Sequence, residues 1–251
     1  SYVIPSVCEG GGCEALPPES IYYDPSASEA GSFTNLLAFD ADTGTQNLLS
    51  VVTGYASTVY MSFEALYLTY TKWSEGPVDP VLFGVATAPT SVWTTIHKVR
   101  LAGTAMQALA HADVPGTLLN QFSLDEKDGY LRVFTTVVHW GDSAFRQDNN
   151  LYVLDGGLAQ VGSIEHIAPG ESIHSARFMG DRAYLVTFQK IDPLFVIDVS
   201  VPTAPRTRSM ARPATGPTAI FAWKGYSVVP AVPWSVPTRP PARWMCATVL
   251  T

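Results

Sequence analysis

Short apolar runs alternate with tight polar turns throughout residues 31–205. Runs of β-branched and aromatic residues bounded by Gly, Asp and Thr predict strands that are joined by hairpin turns. One strand type recurs four times and ends in aspartate in three of its copies, so the region is predicted to be a strand-rich repeat. The four copies are LLAFD from Leu36, TIHKV from Thr95, LYVLD from Leu151 and LFVID from Leu194.

The repeat has the period of a propeller blade. Each unit adds a partner strand and then a longer strand pair around another polar turn, which gives about four strands. Counted from Leu36 through Ile96, Tyr152 and Phe195, the units lie 60, 56 and 43 residues apart. A blade of this length cannot bury both faces of its sheet alone, so blades must stack. The sequence therefore predicts an all-β fold of four-stranded antiparallel propeller blades; a β-sandwich is the competing fold, but it does not explain the recurring order.

Composition and charge narrow the class of protein. Only 15% of the 251 residues are charged, and there are 19 glycines and 19 prolines, which argues against helical bundles and coiled coils. A net charge of −7 disfavours a nucleic-acid or anionic-membrane surface, because both need clustered Lys and Arg. No apolar run approaches the roughly 18 residues of a membrane helix. We therefore expect neither a nucleic-acid partner nor a transmembrane segment.

Three stretches carry a resemblance to a known family. They are NQFS at 120–123, RFMGDRAYLVTF at 177–188 and DPLF at 192–195. Residues 114–205 resemble the secreted β-propeller domain family of bacteria and archaea, and we expect the likeness to span about residues 31–200 and no more. Members of that family are longer, close a ring of blades and have no established biochemical function. The resemblance implies a secreted or cell-envelope location and, here, an incomplete ring of about three blades plus part of a fourth.

Residues 1–30 are predicted to form a separate N-terminal segment. Cys8 and Cys13 flank a glycine-rich tetrapeptide, which can bend enough to bring the two Cα atoms within disulfide reach. Free thiols and a metal site are the alternatives, although no further ligands lie nearby for a metal. A disulfide would indicate an oxidising compartment. Since the chain begins at Ser1 without Met, we also expect a processed product.

The composition changes near residue 205. Residues 1–205 hold 9 basic and 22 acidic side chains, whereas residues 206–251 hold six basic and no acidic ones. Prolines from Pro230 to Pro241 remove backbone donors, which excludes a central strand there. This tail is predicted to be either a disordered basic arm or the product of a shifted reading frame, since RTRSM from Arg206 departs from the family's strand. An incomplete ring also leaves blade edges unpaired, so we expect self-association.

Candidate catalytic residues are sparse. Gly141-Asp142-Ser143 resembles the nucleophile block of one class of hydrolases, and His139 precedes it closely. Serine catalysis needs a histidine base and an acid that orients it, and Glu171 with His174 is the nearest such pair in the sequence. The competing interpretation is a polar loop between blades.

Metal and cofactor signals are weaker. Asp40 and Asp42 begin a sequence that is typical of a calcium loop, but Val51 stands where the distal Glu would be. A hairpin turn whose carboxylates cap backbone amides is the alternative. No phosphate loop or dinucleotide fingerprint is present, so no cofactor is expected.

The strong fold pattern beside this sparse chemistry favours a non-catalytic role. We expect an extracytoplasmic binding or scaffold module that holds a protein, peptide or glycan ligand on its inter-blade loops. The alternative is a hydrolase, either esterase-like through Ser143 or metal-assisted.

Overall fold

A computed structural model of the chain describes residues 4–9, 11–23, 31–54, 58–74, 91–139, 146–188 and 193–211. These residues form strands and turns, with two single-turn 3-10 helices at Pro18–Ser20 and Gln121–Ser123. The all-β prediction is therefore confirmed. The strands are β1 (Ser6–Glu9), β2 (Gly12–Ala15), β3 (Ile21–Tyr23), β4 (Ser32–Phe39), β5 (Gln46–Thr53), β6 (Thr58–Met61), β7 (Ala65–Ser74), β8 (Ser91–Ala102), β9 (Ala105–Pro115), β10 (Leu124–Lys127), β11 (Tyr130–His139), β12 (Arg146–Leu154), β13 (Gln160–Ile167), β14 (Ser172–Met179), β15 (Arg182–Phe188), β16 (Leu194–Asp198) and β17 (Arg206–Ala211).

The strands form one hairpin and four larger sheets. Strands β1 and β2 pair with each other, and sheet I has the order β3-β5-β4, with β3 parallel to β5. Sheet II (β6 to β9), sheet III (β10 to β13) and sheet IV (β14 to β17) are each antiparallel and run in chain order. Four-stranded antiparallel units are thus confirmed for three sheets. The described residues do not close a ring, and the number of blades stays a prediction.

The sheets begin two strands later than the sequence repeat indicates. The four recurring strands are β4, β8, β12 and β16, and in sheets II to IV they are the third strand of the sheet, not the first. The physical reason is that strands and turns repeat in the same order along the chain, so the sequence pattern does not indicate which strand of the repeat is the first of a sheet. Hydrogen bonding ends after each fourth strand, and this break leaves no mark in the hydrophobic pattern.

Aspartates close the turns that follow three of these strands. Each Oδ1 accepts hydrogen bonds from backbone amides of the turn, which fixes a tight hairpin. This is the role that the sequence offered for Asp40 as the alternative to a calcium loop. The donors are Asp42 and Thr43 to Asp40 at 3.0 and 3.1 Å, Gly157 and Ala159 to Asp155 at 2.9 Å, and Ser200 to Asp198 at 2.9 Å.

Sheets II and III bury apolar side chains on both of their faces. Alternate residues of a strand point to opposite faces. In β7, Tyr67 packs toward sheet III, whereas Leu66 and Leu68 pack toward sheet I. In β11, Val133 packs toward sheet II and Phe134 toward sheet IV. The nearly continuous apolar runs in these strands are therefore explained by two-sided burial.

Three apolar clusters join the four sheets in chain order. Each cluster contains fully buried side chains from two neighbouring sheets, and burying one large side chain contributes about 1.5 to 3 kcal/mol. Stacking is therefore the main source of stability. Sheets I and II share Leu36, Leu49, Val51, Leu66, Leu68 and Val99; sheets II and III share Ala65, Tyr67, Ile96, Val114, Leu124, Leu131, Val133, Tyr152, Leu154 and Leu158; sheets III and IV share Phe134, Leu151, Ile167, Ile173, Ala176, Ala183, Leu185, Phe195, Ile197 and Val199.

A buried ion pair also links sheets II and III. Lys98 Nζ lies 3.2 Å from Glu126 Oε1, and the two side chains are 9% and 5% exposed. Lys98 donates a second hydrogen bond to the Gly156 carbonyl at 3.3 Å, and Ser62 Oγ donates to Glu126 Oε2. Burial acts to raise the pKa of Glu126, but these donors and the Lys98 charge outweigh it, and the net pKa is lowered.

Among the described residues, sheets I and IV each have one neighbouring sheet, and both carry exposed apolar side chains. Leu37 and Phe39 of sheet I are 42% and 46% exposed, and Phe188 and Met179 of sheet IV are 56% and 67% exposed. Leu37 and Phe39 lie next to each other on one face of β4, whereas Met179 and Phe188 lie at opposite ends of the β14–β15 pair. Exposed apolar groups that lie together are typical of surfaces that contact another molecule. Self-association through these sheets stays a prediction.

Two strands that pair with propeller sheets lie outside the predicted range 31–205. Strand β3, within the predicted N-terminal segment, pairs with β5, and β17, within the predicted tail, pairs with β16. Arg208 Nε donates to Asp198 Oδ2 at 2.8 Å, which holds β17 on the sheet despite the change in composition. The range 31–205 therefore leaves out two strands, β3 and β17, that belong to sheets I and IV. The predicted disorder or altered origin of residues 212–251 lies outside the described residues.

Replacing Phe134 with Ala tests the stacking of sheets III and IV. Phe134 is fully buried and its ring stacks on Phe178 with centroids 5.1 Å apart. Because the change leaves a cavity, we expect the free energy of unfolding to fall by about 3 to 5 kcal/mol in denaturant titrations. The control is Phe63→Ala, at a fully exposed position, which should change it by less than about 0.5 kcal/mol. Similar losses in both variants would contradict the assigned packing.

Candidate functional site

The first strands of sheets II, III and IV approach one another at one edge of the stack. The 3-10 turn Gln121–Ser123, which leads into β10, contacts both β6 and β14. Together these elements line a cleft of about 340 Å³, which we call the edge cleft. It is lined by Val59, Tyr60, Met61, Gln121, Phe122, Leu124, Asp125, Arg177 and Phe178.

The edge cleft presents apolar side chains to solvent. Phe122 is 47% exposed and Met61 is 46% exposed. The Asn120 side chain accepts a hydrogen bond from the Phe122 amide at 2.9 Å and so caps the 3-10 turn that carries this ring. Sheets bury large apolar groups where they can, so two half-exposed groups in one concave site are a candidate contact surface.

Arg177 is a cation of the edge cleft that makes no ion pair with any residue that the structure describes. Its guanidinium lies 4.0 Å from the centre of the Phe122 ring, and its Nη1 donates to the Ala176 carbonyl at 2.6 Å. Within the described part of the chain no carboxylate pairs with it. Asp125, the acidic residue of the cleft, is instead bonded to Arg132, whose Nε lies 2.9 Å from Asp125 Oδ2. Most N–H donors of Arg177 are therefore left for a ligand.

A second cluster surrounds Asp148 at the end of sheet III where β11 stops and β12 starts. Asp148 is 2% exposed, and its Oδ2 lies 3.0 Å from His139 Nε2, 3.0 Å from His166 Nδ1 and 3.5 Å from Arg146 Nη2. Its Oδ1 is buried without a hydrogen-bond partner in the described structure. Burial acts to raise the pKa of Asp148, but the His166 hydrogen bond and the neighbouring charges outweigh it and lower the pKa. We call these four residues the Asp148 cluster.

The backbone is bent to place His166 in this cluster. His166 has φ +58°, in the left-handed region, and lies where the pairing of β12 with β13 shifts by a residue. Asn150 Oδ1 accepts a hydrogen bond from the His166 amide at 3.0 Å and holds the bend. Since an ionised carboxylate only accepts hydrogen bonds, His166 Nδ1 is the donor to Asp148 Oδ2. An imidazole oriented this way resembles the acid-histidine half of a catalytic triad.

Among the described residues, no hydrogen bond or ion pair joins the sequence-predicted catalytic residues His139, Glu171 and His174 to one another. His139 lies in the Asp148 cluster, but Ser143 lies outside the described residues. The Glu171 side chain accepts a hydrogen bond from Thr187 Oγ1 at 2.5 Å, and His174 is an exposed residue at a bulge in β14. No hydrogen bond or ion pair between described residues joins Glu171 to His174. The sequence analysis did not identify Asp148 as a candidate. The feature that could have indicated it is a charged residue near the start of an otherwise apolar strand.

The remaining predicted sites are on the surface. Asp40 caps its own turn and Asp42 donates an amide to it. No group of three His, Cys, Asp or Glu side chains in the described ranges is arranged to hold a metal ion. Cys8 and Cys13 lie opposite each other in the β1–β2 hairpin, with Cα atoms 4.0 Å apart and their sulfurs joined. No helix among the described residues is both long and apolar enough to span a membrane.

Comparison with known proteins assigns the fold. The chain matches the family described as Beta propeller domain over residues 1–209. The chain belongs to the β-propeller family. The match corrects the expectation that the likeness begins near residue 31, because β3 and most of β17 are parts of propeller sheets. Two stretches noted for their resemblance, 120–123 and 177–188, meet in the edge cleft of the propeller.

Two archaeal relatives share part of the propeller. An uncharacterized protein of Methanocaldococcus jannaschii is 44% identical over 116 residues, which is 45% of this chain and 18% of that protein. An uncharacterized protein of Archaeoglobus fulgidus is 46% identical over 113 residues, 44% of this chain and 17% of that protein. The similarity thus covers less than a fifth of either relative's length.

Replacing Asp148 with Asn tests the electrostatics of its cluster. A lowered pKa in the folded state means that ionised Asp148 stabilises the fold above its unfolded pKa, and that this stabilisation is lost as pH falls through the folded pKa. We expect Asp148→Asn to be about 1 to 3 kcal/mol less stable near pH 7 and to lose less stability on acidification to about pH 3. The measurement is urea unfolding at several pH values. The control Asp128→Asn, at a position 80% exposed, should follow the wild type; a parallel pH profile for Asp148→Asn would contradict the assignment.

Proposed function

We propose that this propeller is an extracytoplasmic binding module that holds a protein, peptide or glycan ligand in the edge cleft. The observation that carries the proposal is the concave surface where half-exposed Phe122 and Met61 lie beside the uncompensated charge of Arg177. Pockets with apolar walls and few fixed polar groups are typical of ligand sites.

The support of the cleft favours recognition by a preformed surface. Its side chains come from three sheets whose shared cores are fully buried, so their relative positions are fixed before a ligand arrives. The Asn120 side chain holds the backbone of Phe122 by accepting a hydrogen bond from its amide, and Arg177 lies over the face of the Phe122 ring. A rigid surface loses little conformational entropy on binding.

The proposed location rests on the cysteines and the family resemblance. Cys8 and Cys13 face each other in the β1–β2 hairpin. Each strand of this hairpin has four residues, and the side chains of β2 are exposed. A disulfide there closes a short loop and would persist in an oxidising compartment such as the cell envelope or the exterior. A location outside the cytoplasm is therefore part of this proposal.

An array experiment tests the binding function. Wild-type protein is applied to immobilised unmodified peptides and to neutral and acidic oligosaccharides, and saturable binding to at least one class is expected. Phe122→Ala should weaken that binding by at least tenfold, because it removes both an apolar contact and the support of Arg177. The matched control Phe63→Ala removes an exposed phenylalanine outside the cleft and should bind as the wild type does. Equal binding by Phe122→Ala would contradict a ligand site in the cleft.

A hydrolase is the second candidate function, favoured by the bonded pair of His166 and Asp148. With His166 Nδ1 held by Asp148, the other ring nitrogen of His166 is placed to act as a general base. Ser143, beyond the described residues, is the candidate nucleophile from the sequence.

An ester-hydrolysis screen distinguishes the two functions. If the hydrolase is correct, p-nitrophenyl ester turnover should fall by at least a hundredfold in Ser143→Ala and His166→Gln, because each removes a member of the catalytic set. His174→Ala, which changes an exposed histidine without contact to Asp148, should retain it. Absence of turnover, or equal turnover in all variants, would contradict the hydrolase.

A further inference from the structure

The edge cleft combines an apolar wall with one cation, and this pairing restricts the chemistry of its ligand. Asp125 is neutralised by Arg132, so among the described residues of the cleft the charge left unpaired is that of Arg177. A ligand that fills the cleft with apolar groups alone would leave this guanidinium without a counterion. A carboxylate next to an apolar side chain satisfies both features.

Arg177 is prepared to bind a carboxylate. Its guanidinium stacks on Phe122 at 4.0 Å, and Nη1 is fixed on the Ala176 carbonyl. Stacking and one fixed hydrogen bond reduce the motion of a long side chain before binding, which lowers the entropic cost. Guanidinium groups bind carboxylates through two parallel N–H donors, which gives geometric selectivity as well as affinity.

The surrounding backbone favours a peptide as the carrier of that carboxylate. Strands β6, β10 and β14 are edge strands of their sheets in the described part of the chain. Edge strands present unpaired N–H and C=O groups, which an extended peptide can match with its own backbone. Met61, on β6, and Phe122, before β10, supply apolar contacts for a neighbouring side chain.

We infer that the edge cleft binds a peptide in which a carboxylate adjoins a large apolar side chain, with Arg177 holding the carboxylate and Met61 and Phe122 contacting the side chain. This inference rests on the proposed binding function and adds the class of ligand. The carboxylate is either a peptide C-terminus or an acidic side chain, since both offer the same two oxygens to Arg177.

Three labelled pentapeptides test the inference by fluorescence anisotropy. One ends in Phe-Leu with a free carboxylate, the second is its C-terminal amide, and the third ends in Phe-Glu amide. Wild-type protein should bind at least one carboxylate peptide about 10- to 100-fold more tightly than the neutral amide, and the tighter of the two identifies the source of the carboxylate. Arg177→Gln should abolish the preference for the carboxylate peptide. Arg177→Lys keeps the charge but lacks the two parallel N–H donors, so it should retain only part of that preference.

Matched controls separate the ligand class from the binding function. Arg182→Gln changes another exposed arginine of the β14–β15 hairpin and should leave the preference intact. Equal binding of acid and amide peptides that Phe122→Ala weakens would overturn carboxylate recognition and leave the cleft as a binding site. Absence of peptide binding, or binding that Phe122→Ala does not change, would overturn both.

Discussion

The structure depends on the burial of the sheet faces that lie between neighbouring sheets. Sheets II and III are apolar on both sides, as Leu66 and Tyr67 show on adjacent positions of β7. Neither sheet can be stable alone, because one exposed apolar face would cost more than the strand pairing returns. Successive sheets must therefore stack, and the stacking brings their first strands together at one edge.

This constraint explains where the two candidate functional sites lie in the molecule. The faces between neighbouring sheets are occupied by cores, and both candidate sites lie at strand ends or sheet edges. The edge cleft forms where β6, β10 and β14 meet, and the Asp148 cluster forms where β11 and β12 meet at a sheet end. Both are built on rigid strands and are shaped by local departures from regular pairing, namely the Asn120 cap and the bend at His166.

The fold was predictable from sequence because its signals are local. Alternation of apolar runs and turns identified the strands, and the aspartates at 40, 155 and 198 marked hairpins that the structure contains. The first strand of sheet I and the last strand of sheet IV were harder to predict from the sequence. Strand β3 is short and lies before a long connection, and β17 has a composition unlike the other strands, yet each pairs with an edge that its sheet leaves open.

The sequence by itself determined the all-β class, the four-strand period and the turns, because each follows from residues within a few positions of one another. Only the tertiary structure decided where each sheet starts and which side chains share a site. Phe122 and Arg177 are 55 positions apart in the sequence, and His139, Asp148 and His166 come from three strands. Contacts of this kind depend on how twisted sheets stack and on where pairing shifts by a residue, and neither leaves a local pattern in the chain.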